Sequence, residues 1–295
     1  MAKRENRKPE HLRMKNATLL FINVKILPVG EKEGYINFFN DLLKKDYAVR
    51  TAQDRYISLF RFAPMEDNSR IYKGLLMEYT SLDPDGYINI GTKESIERPF
   101  NDDGVGANGK SSYFYFVPEA HRLAIFMSGG LSINKVKKFI EVAGERLLRE
   151  NNEPNKELFV YIEKTSSILD VLKNAFAVTS LKAKLSYSNK DHTVDFEKVF
   201  DEKLTNSGAN EVDIDLKTGK GGVLSFEEDS LPASIVKISE SNGEIEARLI
   251  EREGGRTEIF NTEEYPRREN IKYNLETLGN IIYSKIMSIW RQDEN

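Results

Sequence analysis

The sequence predicts an α+β fold, with two mixed α/β lobes, largely antiparallel sheets and a long C-terminal helix. Three observations support this prediction. Apolar runs of strand type and of helical type follow one another without the strict alternation of parallel α/β folds. Two pairs of strand-like runs are separated by short turns, which is typical of antiparallel hairpins. Of the 295 residues, 39% are hydrophobic, which is enough to form a packed core.

The first half of the chain begins with a predicted strand and a predicted helix. ATLLFINVKI (17–26) is rich in β-branched and large apolar residues, which favours a strand. YINFFNDLLKKDY (35–47) has apolar residues at helical spacing. Three further runs are typical of strands: YISLFRF (56–62), IYKGLLMEYT (71–80) and the short GYINIG (86–91).

A hairpin and a capped helix complete the first half. SYFYFVP (112–118) and HRLAIFMS (121–128) are two apolar runs divided by two residues, which is the pattern of an antiparallel pair. Ser132 is then placed to cap a helix that extends to about Glu150, with apolar residues along one face.

The polar segment NNEPNKE (151–157) is the predicted boundary between the two lobes. Its proline and its lack of apolar residues are typical of a connecting segment. The predicted organisation is therefore a basic N-terminal arm at 1–16, an N-terminal α+β lobe at 17–150 and a C-terminal α+β lobe at 151–295.

The second half repeats the mixture of strands and helices. The clearest strand is SLKAKLSYS (180–188), where apolar and polar residues alternate. Two strand runs on either side of the Gly-Gly pair at 254–255 predict a hairpin. IKYNLETLGNIIYSKIMSIW (271–290) is amphipathic and predicts the final helix, whose Trp290 is expected to pack on the second half. The other predicted elements are strands at 158–164 and 211–218 and helices at 166–176 and 195–204.

Charge is distributed unevenly along the chain. The formal net charge is −4, which argues against a generally basic nucleic-acid binder. Residues 1–15 carry six cations against two glutamates, so their net charge is +4 and that of the remaining chain is −8. Two interpretations of the arm stay open, a segment that neutralises phosphates and a solvated tail.

The composition excludes several classes of protein. There is no cysteine, so disulfides and thiolate metal sites are excluded. No apolar run approaches the roughly 18 residues of a membrane helix. The N-terminus lacks the apolar segment of a secretory signal. We therefore expect a cytoplasmic protein that does not insert into a membrane.

DDGVGANGKSSYFYF (102–116) matches the spacing of a nucleotide-binding P-loop. A working P-loop follows a buried strand and leads into a helix, whose first N–H groups bind phosphate. Here polar residues and Pro99 precede the glycines, and the aromatic run that follows them favours a strand. We interpret residues 102–110 as a glycine-rich connector, whose amides could contact an anion, and not as a nucleotide site.

Other catalytic patterns are weak. The histidines lack the spacing of metal ligands; they are His11, His121 and His192. A metal-dependent nuclease could use the carboxylates of Glu211, Asp213 and Asp215 with Lys217. Because these residues alternate with apolar ones, a solvated strand face is the simpler interpretation. We predict no catalytic residue and expect neither a cofactor nor a metal.

Basic residues form the candidate nucleic-acid surface. Lys135 and Lys138 share one face of the helix after Ser132, and Lys182 and Lys184 share one face of a strand. The predicted nucleic-acid-binding residues are Lys3, Arg4, Arg7, Lys8, Lys110, Lys135, Lys138, Lys182, Lys184, Arg267 and Arg268. Binding by these residues requires that they converge in space.

The order of segments also carries a resemblance. INFFNDLL, YISLFRF, SYFYFVPEAHRLAIF and LFVYIEKTSSILDVLKNAF follow one another, and a Gly-turn hairpin and a long final helix come after them. This order resembles that of the phage lambda Rex exclusion protein A family. Phe-x-Pro-x-x-His-Arg-Leu at 116–123 is similar to a segment of an uncharacterised bacterial family found among phage-defence genes. The resemblance implies a two-lobed, dimeric, sequence-nonspecific DNA-binding sensor that acts against infecting phage through an effector.

The sequence therefore predicts a non-enzymatic, sequence-nonspecific DNA-binding component of bacterial antiphage defence, of the abortive infection or exclusion type. We expect it to form a homodimer. Two alternatives stay open. One is a metal-dependent nuclease or nucleotide-using defence enzyme. The other is a protein-interaction subunit of a multi-gene complex, with a partner from the same operon and exposed aromatic residues at Tyr113, Phe114 and Tyr115.

Overall fold

The fold consists of two antiparallel sheets and their helices, which confirms the predicted α+β class. The computed structural model describes residues 12–28, 32–81, 91–93, 106–186 and 195–292, without the side chains of 195–198 and 292. The strands are β1 (Lys15–Leu27), β2 (Val49–Ala52), β3 (Arg55–Pro64), β4 (Tyr72–Ser81), β5 (Gly106–Val117), β6 (Arg122–Phe126), β7 (Glu157–Ile162), β8 (Ala177–Ser186), β9 (Glu211–Lys217), β10 (Gly243–Ile250), β11 (Glu258–Asn261) and β12 (Arg268–Tyr273). The helices are α1 (Lys32–Lys45), α2 (Ile133–Glu150), α3 (Ile168–Asn174), α4 (Asp195–Ser207), α5 (Leu231–Asn242) and α6 (Leu278–Gln292).

Strand β1 organises the large sheet, whose order is β12-β1-β6-β5-β4-β3-β2. The first half of β1 pairs with β12, and the second half pairs with β7. β1 is buried without interruption from Leu19 to Leu27. A strand that is buried on both faces needs cover on both sides of its sheet, and the helices supply it.

Helices α1 and α2 cover one face of the large sheet. They enclose its main core, to which β1 contributes Ile22 and β5 contributes Phe114 and Phe116. The hydroxyl of Ser132 accepts a hydrogen bond from the backbone N–H of Lys135, so the predicted cap of α2 is confirmed. We refer to this side of the sheet as the helix face.

Helix α6 covers part of the opposite face. Ile282 and Ile286 are fully buried against Leu19 and Phe21 of β1 and Tyr115 of β5. This second core lies over β12, β1, β6 and β5. Strands β4, β3 and β2 extend beyond it in the same sheet.

The small sheet has the order β11-β10-β8-β9. Its core includes Leu181, Ala183 and Leu185 of β8, which are the apolar residues of the predicted alternation. α3 and α5 contribute to the same core. The hairpin predicted around the Gly-Gly pair is confirmed as β10 and β11, with Gly254 at a φ of 70° in the turn.

Three sequence predictions need correction. The final helix begins at Leu278 and not at Ile271, because residues 271–273 belong to β12 and pair with β1. The side chain of Asn274 then accepts hydrogen bonds from the backbone N–H groups of Glu276 and Thr277, and these form the turn into α6.

The second correction concerns the two lobes. The two sheets do not divide at residue 151, since β7, β12 and α6 all pack with the large sheet. Trp290 accordingly packs against a core that contains Leu19 and Phe21 of the first half as well as Ile271 of the second.

The third correction concerns the glycine-rich connector. Residues 106–110 form the first part of β5 and pair with the end of β4, while 101–105 lie outside the described residues. The strand predicted at 86–91 also lies outside them, except for Gly91. α5 and β2 were not predicted. No helix in the described part of the chain is long and apolar enough to cross a membrane.

Candidate functional site

The predicted basic residues lie on separate elements. Lys135 and Lys138 belong to α2, Lys182 and Lys184 belong to the small sheet, and Arg268 begins the edge strand β12, with Arg267 just before it. Lys110 lies on the helix face of the large sheet, directly opposite Glu78. Lys3, Arg4, Arg7 and Lys8 of the arm lie outside the described residues.

Carboxylates accompany most of these cations. Lys135 donates to Glu78 at 2.6 Å. Lys184 lies 3.1 Å from Glu211, and Arg267 lies 3.3 Å from Glu269. Lys182 lies opposite Asp215 in one neighbouring strand and Glu246 in the other. Within the described residues, the predicted set therefore forms no continuous positive surface.

A different part of the chain is strongly basic. Strands β2 to β5 together carry five cations and a single carboxylate, although the whole chain has a net charge of −4. The cations are Arg50, Arg55, Arg61, Lys73 and Lys110. The carboxylate, Glu78, is buried on the helix face. Burial raises its pKa, but hydrogen bonds from Lys135 and Thr51 outweigh this effect and lower the pKa, so Glu78 stays ionised and paired.

The strand register places four aromatic residues on the opposite face. Ile57 and Leu76 point into the main core, so the residues that alternate with them point away from it. Tyr56 lies opposite Tyr79, and their rings are 6.4 Å apart. Phe60, at a bulge in β3, meets Tyr79 edge-on at 6.5 Å. With Tyr113 of β5 they make up what we name the aromatic face: Tyr56, Phe60, Tyr79 and Tyr113.

The aromatic face is accessible and bordered by cations. Phe60 is 48% exposed and Tyr113 is 43% exposed. The ammonium group of Lys73 lies 3.9 Å from the centre of the Tyr113 ring. Arg50 is exposed and lies directly opposite Tyr56. Flat rings on a sheet, with cations beside them, suit the stacking of planar bases and the neutralisation of a phosphate backbone.

Sequence reasoning identified only one member of this face. Tyr113 was a candidate exposed aromatic residue and is exposed, whereas Phe114 and Tyr115 are buried on opposite sides of the sheet. The missed signal is the near absence of acidic residues between Val49 and Pro64 and in β5, together with the two-residue alternation of aromatic side chains.

A second feature is a cleft of about 900 Å³ next to β7. α2 forms one wall, and the ends of β8, β9 and β10 form the other. Its polar lining includes Lys137, Glu141, Glu145, Lys184, Glu211 and Glu244. The cleft is therefore a highly charged concave surface, where the large sheet meets the small one.

Lys137 is the centre of the charges in this cleft. Its ammonium group donates to Glu244 and Glu263 and lies 3.6 Å from Glu141. Burial lowers the pKa of Lys137, but the two hydrogen bonds outweigh it and raise the pKa above its ordinary value. Burial raises the pKa of Glu141 to about 7. The attraction of Lys137 lowers this pKa, whereas the repulsion of Glu244 and Glu263 raises it further. Glu141 therefore titrates close to neutral pH.

The structure does not support the other catalytic patterns. Lys110 and Ser111 lie inside β5, so no helix begins at the glycine-rich segment, and the spacing resembles a P-loop only in sequence. Asp213 and Asp215 are exposed on β9, as a solvated strand face requires. Among the described residues no three histidine, aspartate or glutamate side chains are grouped for a metal ion. His11 and His192 lie outside the described residues.

Comparison with protein families gives one match. The sequence model described as a domain of unknown function, DUF4747, matches residues 15–288. The chain belongs to the DUF4747 family. No curated protein matches it. The DUF4747 region begins at the first residue of β1 and ends within α6, so it contains both sheets, the aromatic face and the cleft. Most of the basic arm precedes the DUF4747 region.

Proposed function

We propose that this chain binds DNA without sequence preference, and that single-stranded DNA lies across the aromatic face. The observation that carries the proposal is the combination of Phe60 and Tyr113, both exposed, with the cations Arg50, Arg61 and Lys73. The proposal keeps the nucleic-acid function expected from the sequence but moves its site. The basic residues of α2 and β8 have carboxylates beside them, whereas Arg50, Arg61 and Lys73 lie on the side of the aromatic face and the one carboxylate of strands β2 to β5, Glu78, lies on the helix face.

Single strands are favoured over duplexes by the chemistry of the face. Bases in a duplex are stacked on each other and present only their edges in the grooves, so rings on a flat sheet have nothing to stack on. Unpaired bases expose their faces and stack on Tyr, Phe or Trp without regard to sequence. Arg50 and Lys73 lie beside these rings, where cations can neutralise neighbouring phosphates.

The test is fluorescence anisotropy with labelled oligo-dT at several salt concentrations. We expect binding that weakens steeply with salt, since each neutralised phosphate releases a counterion. The variant with both Phe60→Ala and Tyr113→Ala should bind at least about tenfold more weakly, because stacking contributes about 1–3 kcal/mol per base. Phe176→Ala, at an aromatic residue of the small-sheet region that is 55% exposed, is the matched control and should bind as the parent does.

A second pair of variants separates the two candidate surfaces. Lys73→Gln should weaken binding and reduce its salt dependence, whereas Lys182→Gln, between Asp215 and Glu246, should leave binding unchanged. Removal of residues 1–11 measures the contribution of the arm in the same assay. The proposal fails if the parent protein shows no binding at low salt, or if Lys182→Gln weakens binding more than Lys73→Gln does.

We extend the proposal to the antiphage function that the sequence resemblance implies, with the chain acting as a homodimer beside a partner protein. Support for this extension comes from the resemblance alone. In cells challenged with phage, the parent protein should lower plaque formation, and the variant with Phe60→Ala and Tyr113→Ala should restore it. Equal protection by the parent protein and the variant would show that defence does not depend on the aromatic face. Light scattering of the purified chain measures the oligomeric state.

A further inference from the structure

We propose that the cleft beside β7 binds an extended peptide segment with lysine or arginine side chains, which adds to β7 as a further strand. The peptide belongs to a partner protein, and its site is separate from the aromatic face. Three observations carry this inference: the free edge of β7, the carboxylates of the cleft and the buried hydroxyl of Tyr161.

The first observation is the free edge of β7. β7 pairs with β1 on one side, and no described strand pairs with its other side. The five consecutive residues from Glu157 to Tyr161 all line the cleft. Consecutive residues alternate between the two faces of a sheet, so a cavity that touches all five runs along the edge of the backbone.

The hydrogen-bond pattern shows which groups point into the cleft. The N–H of Glu163 donates to the carbonyl of Phe21 in β1 at 2.9 Å. In an antiparallel pair the backbone groups alternate in direction, so those of Tyr161 and Phe159 also point towards β1. The N–H and C=O groups of Leu158 and Val160 then point towards the cleft. An unpaired edge of this kind is where an extended peptide adds a strand.

The second observation is the charge of the cleft walls. Six glutamates and four cations line it. Three of the cations already have carboxylate partners there, since Lys137 binds Glu244, Lys184 binds Glu211 and Lys156 binds Glu153. Within the described residues Glu145 and Glu157 make no ion pair, so they remain available to a ligand. Against the one remaining cation, Arg149, these two glutamates and the ionised fraction of Glu141 leave an excess of negative charge, which complements a peptide with basic side chains.

The third observation is the hydroxyl of Tyr161. The side chain is 4% exposed and lines the cleft, yet its hydroxyl has no hydrogen-bond partner among the described residues. The hydroxyl of Ser186 is close enough to lower the pKa of Tyr161, but neither hydroxyl makes a hydrogen bond of normal geometry. Burial raises the pKa of Tyr161, so the group keeps its proton. A buried hydroxyl without a partner is uncommon, and a bound peptide would supply one.

The experiment measures binding of the labelled peptide acetyl-Lys-Val-Lys-Val-Lys-Val-amide to the full chain. A second peptide of the same sequence is N-methylated at every residue, so it has no N–H to donate to β7 from either edge. A third peptide has glutamate in place of lysine. We expect the N-methylated and the acidic peptides to bind at least about tenfold more weakly than the first, because each lacks one of the two interactions. Either of them binding as tightly as the first peptide overturns the proposal.

Variants of the chain locate the site. Leu158→Pro removes an N–H of the free edge, where proline is tolerated, and should abolish strand addition. Tyr161→Phe should weaken peptide binding several-fold, and Glu145→Gln should weaken it less. Glu33→Gln, at a glutamate on α1 outside the cleft, is the matched control.

The variant with Phe60→Ala and Tyr113→Ala should keep full peptide binding. A failure of the peptide proposal can therefore be distinguished from a failure of the DNA proposal. If Leu158→Pro does not fold, binding of the N-methylated peptide to the parent chain still tests whether the peptide adds to β7 as a strand.

Discussion

Two buried tyrosines differ in the hydrogen bonding of their hydroxyl groups. The hydroxyl of Tyr35 accepts a hydrogen bond from the N–H of Ile26 at 3.1 Å, whereas that of Tyr161 has no partner among the described residues. Tyr35→Phe should therefore cost about 1 kcal/mol of stability, because it leaves a buried N–H unsatisfied. Tyr161→Phe should cost nothing, or stabilise the chain by up to about 1 kcal/mol. Urea unfolding of both variants measures this difference. A larger loss for Tyr161→Phe would show that its hydroxyl has a partner in the free protein.

Glu141 makes the stability of the chain depend on pH. Its pKa is raised from an ordinary value of 4.5 to about 7, mainly by burial. The folded state therefore favours the protonated carboxyl group. The contribution of this group to the free energy of unfolding is fully present below pH 4.5, and it is lost as the pH rises through 7. Glu141→Gln cannot ionise, so above pH 7 the variant should be more stable than the parent. Because 36% of the side chain is exposed, solvent screening reduces the effect and we expect a gain of only about 1–2 kcal/mol.

The measurement for Glu141 is urea unfolding at pH 5 and at pH 8. The stability gain of Glu141→Gln should appear mainly at the higher pH. Glu145→Gln, one turn further along α2 and exposed, is the control and should show no such dependence. A gain of equal size at both pH values would contradict the raised pKa of Glu141.

Charge partners were harder to predict than strand faces. The alternation in β8 correctly places Lys182 and Lys184 on one face. Their neighbours, Asp215 and Glu211 of β9, are 33 and 27 residues away in sequence, and the register that brings them together depends on tertiary packing. For the same reason the aromatic face could not be assembled from sequence, although each of its strands was predicted.

At the scale of elements, α2 depends on a close approach at Gly144. A Cβ atom there would lie 2.4 Å from Leu158 of β7 and 2.7 Å from Phe38 of α1. Gly144→Ala should therefore destabilise the chain by about 1–3 kcal/mol through overpacking. The better helix propensity of alanine offsets up to about 1 kcal/mol of this loss. Gly34→Ala in α1 has no atom within 4 Å of the new Cβ and should instead stabilise the chain slightly. Thermal unfolding distinguishes the two variants, and stabilisation by both would show that α2 can move away from β7.

Local signals decided which elements were predicted. The hairpin of β5 and β6 and the cap at Ser132 depend on residues close in sequence, and both were predicted correctly. The run Ile271–Tyr273 fits a strand and a helix equally well, and only its pairing with β1 makes it a strand. α5 was missed although Ser230 caps it and Pro232 lies in its first turn, which are ordinary start signals.

At the scale of the whole molecule, buried charges join the two sheets. Arg122 of β6 donates to Glu163 at 2.8 Å, and Ser241 at the end of α5 donates to the other oxygen of Glu163 at 2.7 Å. Lys25 of β1 donates to Asn242 at 3.2 Å, and Lys164 donates to the carbonyl of Gly243. All four charged side chains are at least 98% buried. The contact between the sheets is therefore polar and charged, and replacing one member leaves others unsatisfied.

We expect this cluster to give the chain a stability maximum at alkaline pH. Burial lowers the pKa of Lys25 from 10.5 to about 7 and that of Lys164 to about 8. Between these values and 10.5 the unfolded chain binds more protons than the folded chain, so stability rises with pH in that window. Above about pH 10 the trend reverses, because burial raises the pKa of tyrosines such as Tyr35, to about 12, and unfolding then releases protons.

Thermal unfolding across pH 6 to 10.5 tests this maximum. We expect the Tm to rise by about 3 °C or more between pH 7 and 9.5, since each kcal/mol corresponds to about 2–4 °C for a chain of this size. Lys25→Met removes one of the two titrating groups and should flatten the rise, whereas Lys138→Met, at an exposed lysine of α2, should keep it. A Tm that falls steadily from pH 7 to 9.5 in the parent protein would mean that Lys25 and Lys164 stay charged between the sheets, with carboxylates close enough to outweigh their burial.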